Sequence, residues 1–497
     1  MPDKYHLTTE FYDFTTGSQM TQTRKRSPIN LHENQELGWE EYVEDISVSK
    51  PKGVINVRWW EYRPKKLGNK KTPLVILMYL QHSNCWQEIA DREGLTLLSF
   101  EYIRNARRNA NKRRVGGASR LEVEGFHKVV KNFLKKYPID KSRIYLNALS
   151  YGEICATHYA TVYGKELAAM ALINGPSLDE SLRIIGVSEM PAVPCMQIRC
   201  DGDITYDGYP EGTVFSQIDK AKYEAFVAAR TKQVLANRSV WFNANGAVPS
   251  NPVIISDERA FSLLYQGNKC DYFYTEIHDR CHFCPVDVPE FIWDTVFTRY
   301  KRKGDGSIEL ISGKPFTGDN AAAIRVGSRK LLINGKKRNL DAPVLMLTPP
   351  EKMMNGSYFG HYNDDKYESI YVSSDILKKA AKVDYSIVFR NKTLTTAAFG
   401  KRDPRIEIKD AKVIFDYEGK HYEFLTNCTK AIIDGIVHDL RRPPLFIDGI
   451  LYIPAKESAE ILGLHVSELR EVMYISKHKT EIGISTAQIL KSEILRG

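Results

Sequence analysis

Apolar and polar positions change period along the chain, and the changes mark alternating strands and helices. Pro73 to Leu80 is an unbroken apolar and aromatic run of strand length, and Arg143 to Leu146 reads as a buried strand. Leu167-Ala-Ala-Met-Ala-Leu-Ile and Val193-Pro-Cys-Met-Gln-Ile have the same character. Between these runs, Leu121 to Tyr137 carries apolar residues at helical spacing and is broken by Pro138. Ile154 to Tyr163 is a second helix, and Val288 to Tyr300 a third, with Phe291, Ile292, Trp293, Val296 and Phe297 as its apolar face. Alternation of this kind predicts βαβ units and a parallel sheet buried on both faces, with functional residues at the carboxyl ends of strands.

Past Arg302 the pattern changes. Lys303-Gly-Asp-Gly-Ser and Ser312-Gly-Lys-Pro-Phe-Thr-Gly-Asp-Asn are turn-rich and predict a linker. The expected organisation is an N-terminal extension over 1–40, an α/β domain over 41–302, a linker over 303–320 and a smaller domain over 321–497. The last part holds a faint internal repeat: Leu332-Ile-Asn-Gly-Lys-Lys-Arg-Asn-Leu recurs as Ile432-Ile-Asp-Gly-Ile-Val-His-Asp-Leu. Asn-Gly and Asp-Gly between apolar runs are strong hairpin signals. Each copy leads on to a strand and a short helix, at Ile370 to Ala381 and Leu451 to Gly463.

Composition changes this picture little. Hydrophobic residues make up 43% and charged residues 26% of the 497, as in a globular protein with ample core. No apolar run reaches the length of a transmembrane helix, so no membrane span is expected. Met1 to Glu10 lacks the apolar core of a signal peptide, so the expectation is either a cytoplasmic protein or one whose leader lies outside this sequence. A net charge of +9 is mild and does not require a nucleic-acid partner. Arg104, Arg107, Arg108, Lys112, Arg113 and Arg114 cluster after a strand, either as a solvated loop or as a basic rim favouring anionic substrates. Cys281-His-Phe-Cys284 offers two thiols and one imidazole with no second cysteine pair, so neither metal nor cofactor is expected.

The candidate chemistry sits at Ala148-Leu-Ser-Tyr-Gly152, where a strand ends and a helix begins at once. A serine at a tight strand-helix turn is lifted clear of the backbone beside free N–H groups, as nucleophilic attack on a carbonyl requires. Small residues two places either side of Ser150 let the strand and helix pass closely. Glu153 adds a carboxylate just behind the turn.

These residues, with "YPIDKSRIYLNALSYGEICATHYATVYGKELAAMALINGP" around them, resemble the esterase and polyhydroxybutyrate-depolymerase branch of the α/β-hydrolases, which includes feruloyl and acetylxylan esterases. The resemblance runs over roughly residues 40 to 300 and includes Trp59-Trp-Glu-Tyr-Arg-Pro, the strand from Pro73, and Ile89 to Phe100, similar to the family's second core strand pair. It implies an α/β-hydrolase fold, a mostly parallel sheet with helices on both faces, followed by a smaller repeated α+β domain. It also implies a Ser-Asp-His triad of Ser150, Asp203 and His282, with Asp201 the rival acid. Tyr151 and Leu80 would supply the oxyanion N–H groups, Leu80 standing where the family carries glycine. If Asp203 and His282 touch, Cys200 and Cys281 are neighbours too, as a disulfide in an oxidising compartment or as two buried thiols.

The second copy of the repeat is similar to the copper-amine-oxidase N-terminal-like domain, a non-catalytic module common on bacterial secreted and surface proteins, although His361, His421, His438 and His465 are too scattered to bind copper. That implies an extracellular or cell-surface location and a C-terminal module that binds cell wall or polysaccharide. The functional expectation is a serine carboxylesterase acting on small-molecule or polymeric esters. The alternatives are a binding protein on a faded hydrolase scaffold and a serine peptidase of the prolyl-peptidase type.

Overall fold

The computed structural model describes residues 9–13, 18–22, 38–49, 52–78, 84–101, 120–150, 152–175, 190–200, 220–277, 287–314, 316, 321–347, 369–390, 405–407, 409–469 and 471–496. The chain forms two compact units, Met1–Pro249 with Ser262–Phe316, and Ser250–Phe261 with Thr317–Gly497. The second unit thus takes a short segment from the middle of the chain as well as the C-terminal part.

The first unit is built on a mixed sheet. Its strands include β1 (Glu40–Ser49), β2 (Lys52–Tyr62), β3 (Thr72–Met78), β4 (Thr96–Phe100), β5 (Ile139–Leu149), β6 (Ala169–Ile173), β7 (Cys195–Cys200) and β8 (Tyr272–Ile277), in the order β1-β2-β4-β3-β5-β6-β7-β8. β1 and β2 form an antiparallel hairpin and β2 runs antiparallel to β4, while every pair from β4 through β3 to β8 is parallel. The parallel strands β3, β4, β6, β7 and β8 are buried at every position, and most of their residues are apolar, while Gln197 and Arg199 in β7 and Thr275 and Glu276 in β8 are buried polar groups. Edge strand β1 instead keeps most residues exposed.

The helices are the crossovers: α1 (Asn84–Glu93) joins β3 to β4, α2 (Arg120–Lys136) joins β4 to β5, and α3 (Gly152–Tyr163) joins β5 to β6. The chain therefore adds β4 on one side of β3 and then returns to add β5 on the other. In sheets of this kind such a reversal, at the carboxyl ends of the strands, is where ligands bind. The Ile89 to Phe100 stretch is the end of α1 and then β4, separated by Gly94 at φ +76°. Strand β5 starts directly after Pro138, earlier than the apolar run suggests, with Asp140 accepting from the Ser142 hydroxyl and backbone and from Arg143.

After a short helix (Asp287–Ile292) and a wider turn (Trp293–Phe297), Tyr300–Arg302 pairs antiparallel with Ile308–Leu310. Part of the turn-rich segment is thus a hairpin of the first unit. Arg302 anchors it, donating to the carbonyls of Leu167, Gly164, Ala192 and Gly306. Asp305 and Gly306 make the turn, Gly306 at φ +84°.

The second unit displays the repeat as structure. Lys330–Ile333 pairs with Lys336–Asn339 and Lys430–Ile433 with Ile436–Asp439. Their turns match, Asn334 and Gly335 at φ 47° and 71°, Asp434 and Gly435 at 49° and 81°. Each hairpin is followed by the same hydrogen bond, Leu340 N–H to Arg329 O and Leu440 N–H to Thr429 O, both 2.7 Å. Equivalent strands Ser369–Ser373 and Ile450–Pro454 lie antiparallel in a shared sheet and lead into helices Ile376–Lys379 and Ala455–Ile461. The strands after each helix complete the other copy's sheet: Tyr385–Phe389 and Ala411–Tyr417 join the second hairpin's sheet, while His465–Leu469 and Val472–Ser476 join the first hairpin's sheet. One core, including Ile324, Leu331, Val372, Phe424, Ile453 and Met473, runs through both copies, so neither buries its apolar face alone.

Candidate active site

Ser150 follows the last residue of β5, and α3 begins at Gly152. Its φ is +55°, a left-handed backbone that a residue with a Cβ adopts only when its surroundings hold it there. Backbone hydrogen bonds supply the hold: Ser150 N–H donates to Ile173 O at 2.8 Å, and Ser150 O accepts from Glu153 N–H at 2.9 Å. The close strand-helix approach uses the small residues on either side, with Ala148 fully buried in register with Met78 and Leu172. Ser150 is 5% exposed, and α3 behind it aims the positive end of a twelve-residue helix at the turn. Asn147, three residues earlier, accepts from the Trp86 indole of α1 at 2.9 Å and donates to Ala171 O at 3.0 Å, tying the elbow strand to a helix and to β6.

Behind the elbow lies a buried polar network that sequence reasoning saw only in Glu153. Glu153, fully buried, takes Arg199 Nη1 at 3.1 Å on one oxygen and Gln197 Nε2 at 3.3 Å on the other, and Gln197 in turn accepts from the Tyr272 hydroxyl at 2.6 Å. Burial alone disfavours the Arg199 cation, but the Glu153 carboxylate reverses this and holds the guanidinium above its ordinary range. Gly175 makes room: a Cβ there would lie 2.0 Å from a Glu153 carboxylate oxygen. The network links the first turn of α3 to β7, one residue before the strand ends at Cys200. The only sequence sign of it was one arginine and one glutamine inside an apolar strand.

Of the residues singled out from sequence, the structure places Ser150 at the elbow and Glu153 beside Arg199. Leu80, Tyr151, Asp201, Asp203, Cys281, His282 and Cys284 lie outside the described residues, as does the basic run from Arg104 to Arg114. The strands that lead to them are described. β3 ends at Met78, β5 at Leu149, β7 at Cys200 and β8 at Ile277, all parallel, with Met78 in register with Ala148 and Ile277 with Cys200. The carboxyl ends of β3, β5, β7 and β8 thus share the edge of the sheet where Ser150 sits.

The mixed sheet and its strained elbow support an α/β-hydrolase-like fold. No protein-family model matches the sequence, and no curated protein matches it. Solved structures similar to part of the chain include a thermostable esterase (13% identity, 54% of this chain and 62% of that one, TM-score 0.31). They also include the enterochelin esterase from Shigella flexneri (10%, 39% and 55%, TM-score 0.29) and the acetyl xylan esterase from Aspergillus awamori (12%, 52% and 99%, TM-score 0.35). The match spans less than two thirds of the length of the first two.

Proposed function

We propose that the chain is a serine hydrolase of carboxylic esters. Ser150 attacks the ester carbonyl, His282 takes its proton and returns it to the leaving alcohol, and Asp203 orients the imidazole; water then releases the acyl group by the same steps. The N–H groups of Tyr151 and Leu80 hold the oxyanion. The observation that carries this reading is the left-handed backbone of Ser150 at the end of a central parallel strand, next to the winding reversal of the sheet. A strained non-glycine residue persists where the surrounding structure overdetermines it, and such residues gather at functional sites.

The second unit is read as an accessory module, similar to the copper-amine-oxidase N-terminal-like domain, that positions the enzyme on polysaccharide or another polymeric ester outside the cell. The test is steady-state turnover of p-nitrophenyl acetate by the full chain and by Ser150→Ala, His282→Ala, Asp203→Asn and Asp201→Asn. Activity lost in the first three and kept in the last supports the triad. Turnover equal in Ser150→Ala and wild type overturns it.

A further inference from the structure

The second unit contains a cavity of about 390 Å³, within the roughly 300–1,000 Å³ typical of small-molecule sites. Its walls are apolar, formed by Ile333, Val372, Leu377, Ile453, Leu462 and Ile475. Its polar lining is strongly one-sided: Lys336, Arg338, Lys379, Lys382 and Lys477 face a single carboxylate, Glu418. Two of these cations are already paired, Lys379 with Asp341 and Asp375, and Lys477 with Glu418 at 2.6 Å. Lys336, Arg338 and Lys382 are exposed and have no carboxylate partner among the described residues. A further observation points inward. Ser458 lines the same cavity at 3% exposure, and its hydroxyl has no hydrogen-bond partner among the described residues. A buried hydroxyl left unpaired in an apolar wall is costly, and a ligand oxygen reaching it would remove that cost.

We propose that this cavity binds a soluble organic carboxylate with an apolar, medium-length body and an oxygen at its far end. The carboxylate sits among Lys336, Arg338 and Lys382, the body lies against the aliphatic walls, and the distal oxygen meets Ser458. Cationic and neutral amphiphiles lack the group that the three unpaired cations select. The site lies within the second unit and does not depend on the esterase reading.

The experiment is calorimetric titration of the full chain at low salt with octanoate, decanoate, ω-hydroxydecanoate and decyltrimethylammonium. Decanoate binds at about one per chain and about sixteenfold more tightly than octanoate, about fourfold for each added methylene. The hydroxylated acid binds more tightly than decanoate, and that advantage vanishes in Ser458→Ala. The double variant Lys336→Glu, Lys382→Glu, with both changes on exposed side chains and its fold checked by circular dichroism, weakens decanoate binding by about tenfold or more. Absence of decanoate binding to wild type overturns the proposal. So does equal affinity for decyltrimethylammonium, or decanoate affinity unchanged in the charge-reversed variant, which would place the acid elsewhere.

Discussion

Left-handed backbone at residues other than glycine occurs in both units, and Ser150 in the first contrasts with the hairpin turns of the second. Among the described residues of the first unit it occurs at Ser150 and Asn174, both buried, each following a neighbouring parallel strand. In the second unit, Asn334, Asp434 and Asp448 each precede a glycine in a tight turn between paired strands. Asparagine and aspartate tolerate this conformation, and the twist of a hairpin asks for it, so those positions carry little strain. Ser150 has no such excuse, because a hairpin is not being made there and serine is not the residue a turn would choose. The difference separates a backbone shaped by chain reversal from one held by its surroundings.

The largest effect expected from breaking this contrast is on chemistry. Ser150→Ala lowers ester turnover by about 10⁴-fold or more, roughly 5.5 kcal/mol in barrier, while its unfolding curve stays close to wild type. Asn334→Ala leaves turnover unchanged. A Ser150→Ala protein that hydrolyses esters at near wild-type rate would put the strain at Ser150 down to folding alone.

Next is the network that braces the elbow. Arg199→Met leaves the Glu153 carboxylate buried without its cation and costs about 3–5 kcal/mol in urea unfolding. The pair Glu153→Gln, Arg199→Met restores much of that loss, since a neutral amide tolerates burial far better than a lone charge. If the single variant unfolds at the wild-type midpoint, the ion pair is not what holds α3 against β7.

A smaller effect sharpens the strain argument itself. Ser150→Gly, inactive, gains about 1 kcal/mol of stability by removing the Cβ from a left-handed backbone. Asn334→Gly changes stability by less than about 0.5 kcal/mol, whereas Asn334→Val, with a β-branched side chain at φ +47°, loses about 1–2 kcal/mol. Equal responses of the two glycine variants would erase the distinction.

Much of the first unit was legible in sequence because its parallel strands are buried on both faces and show as apolar runs, and because the elbow is a local strand-turn-helix signal. The hairpin repeat was legible for the same local reason, through Asn-Gly and Asp-Gly. What was not legible depends on partners far apart in sequence. Nothing near Glu153 announces Arg199, and nothing in Ser250 to Phe261 announces that it clusters with the C-terminal part, where Phe261 meets the Tyr474 ring edge-on at 4.9 Å and Ser256 its hydroxyl at 3.2 Å. The segment after Arg302 reads as linker because the residues that make linkers also make hairpin turns. Only the long-range grip of Arg302 on three distant carbonyls distinguishes the two.

The smallest effect lies in pH dependence away from the elbow. His127 on α2 stacks on Tyr163 at 3.5 Å and meets the Tyr159 hydroxyl at 3.0 Å. Burial holds its pKa below the ordinary value despite the nearby Glu166 carboxylate, with Lys131 adding to the depression. The unfolded chain therefore takes up this proton first. The stability it permits is complete above about pH 6.5 and declines as pH falls through that value toward the depressed one. His127→Phe, keeping the stack, flattens the change in stability between about pH 7.5 and 5.5; an unchanged slope assigns it to other groups.

The central claim is that the strained serine at the winding reversal is a nucleophile, and covalent labelling tests it most directly. Folded full-length protein treated with a fluorophosphonate, then digested and mapped by mass spectrometry, is predicted to carry a single adduct on Ser150. Unfolding the protein beforehand, or Ser150→Ala, abolishes it. No adduct on folded protein, or an adduct of equal yield in Ser150→Ala, would contradict the account.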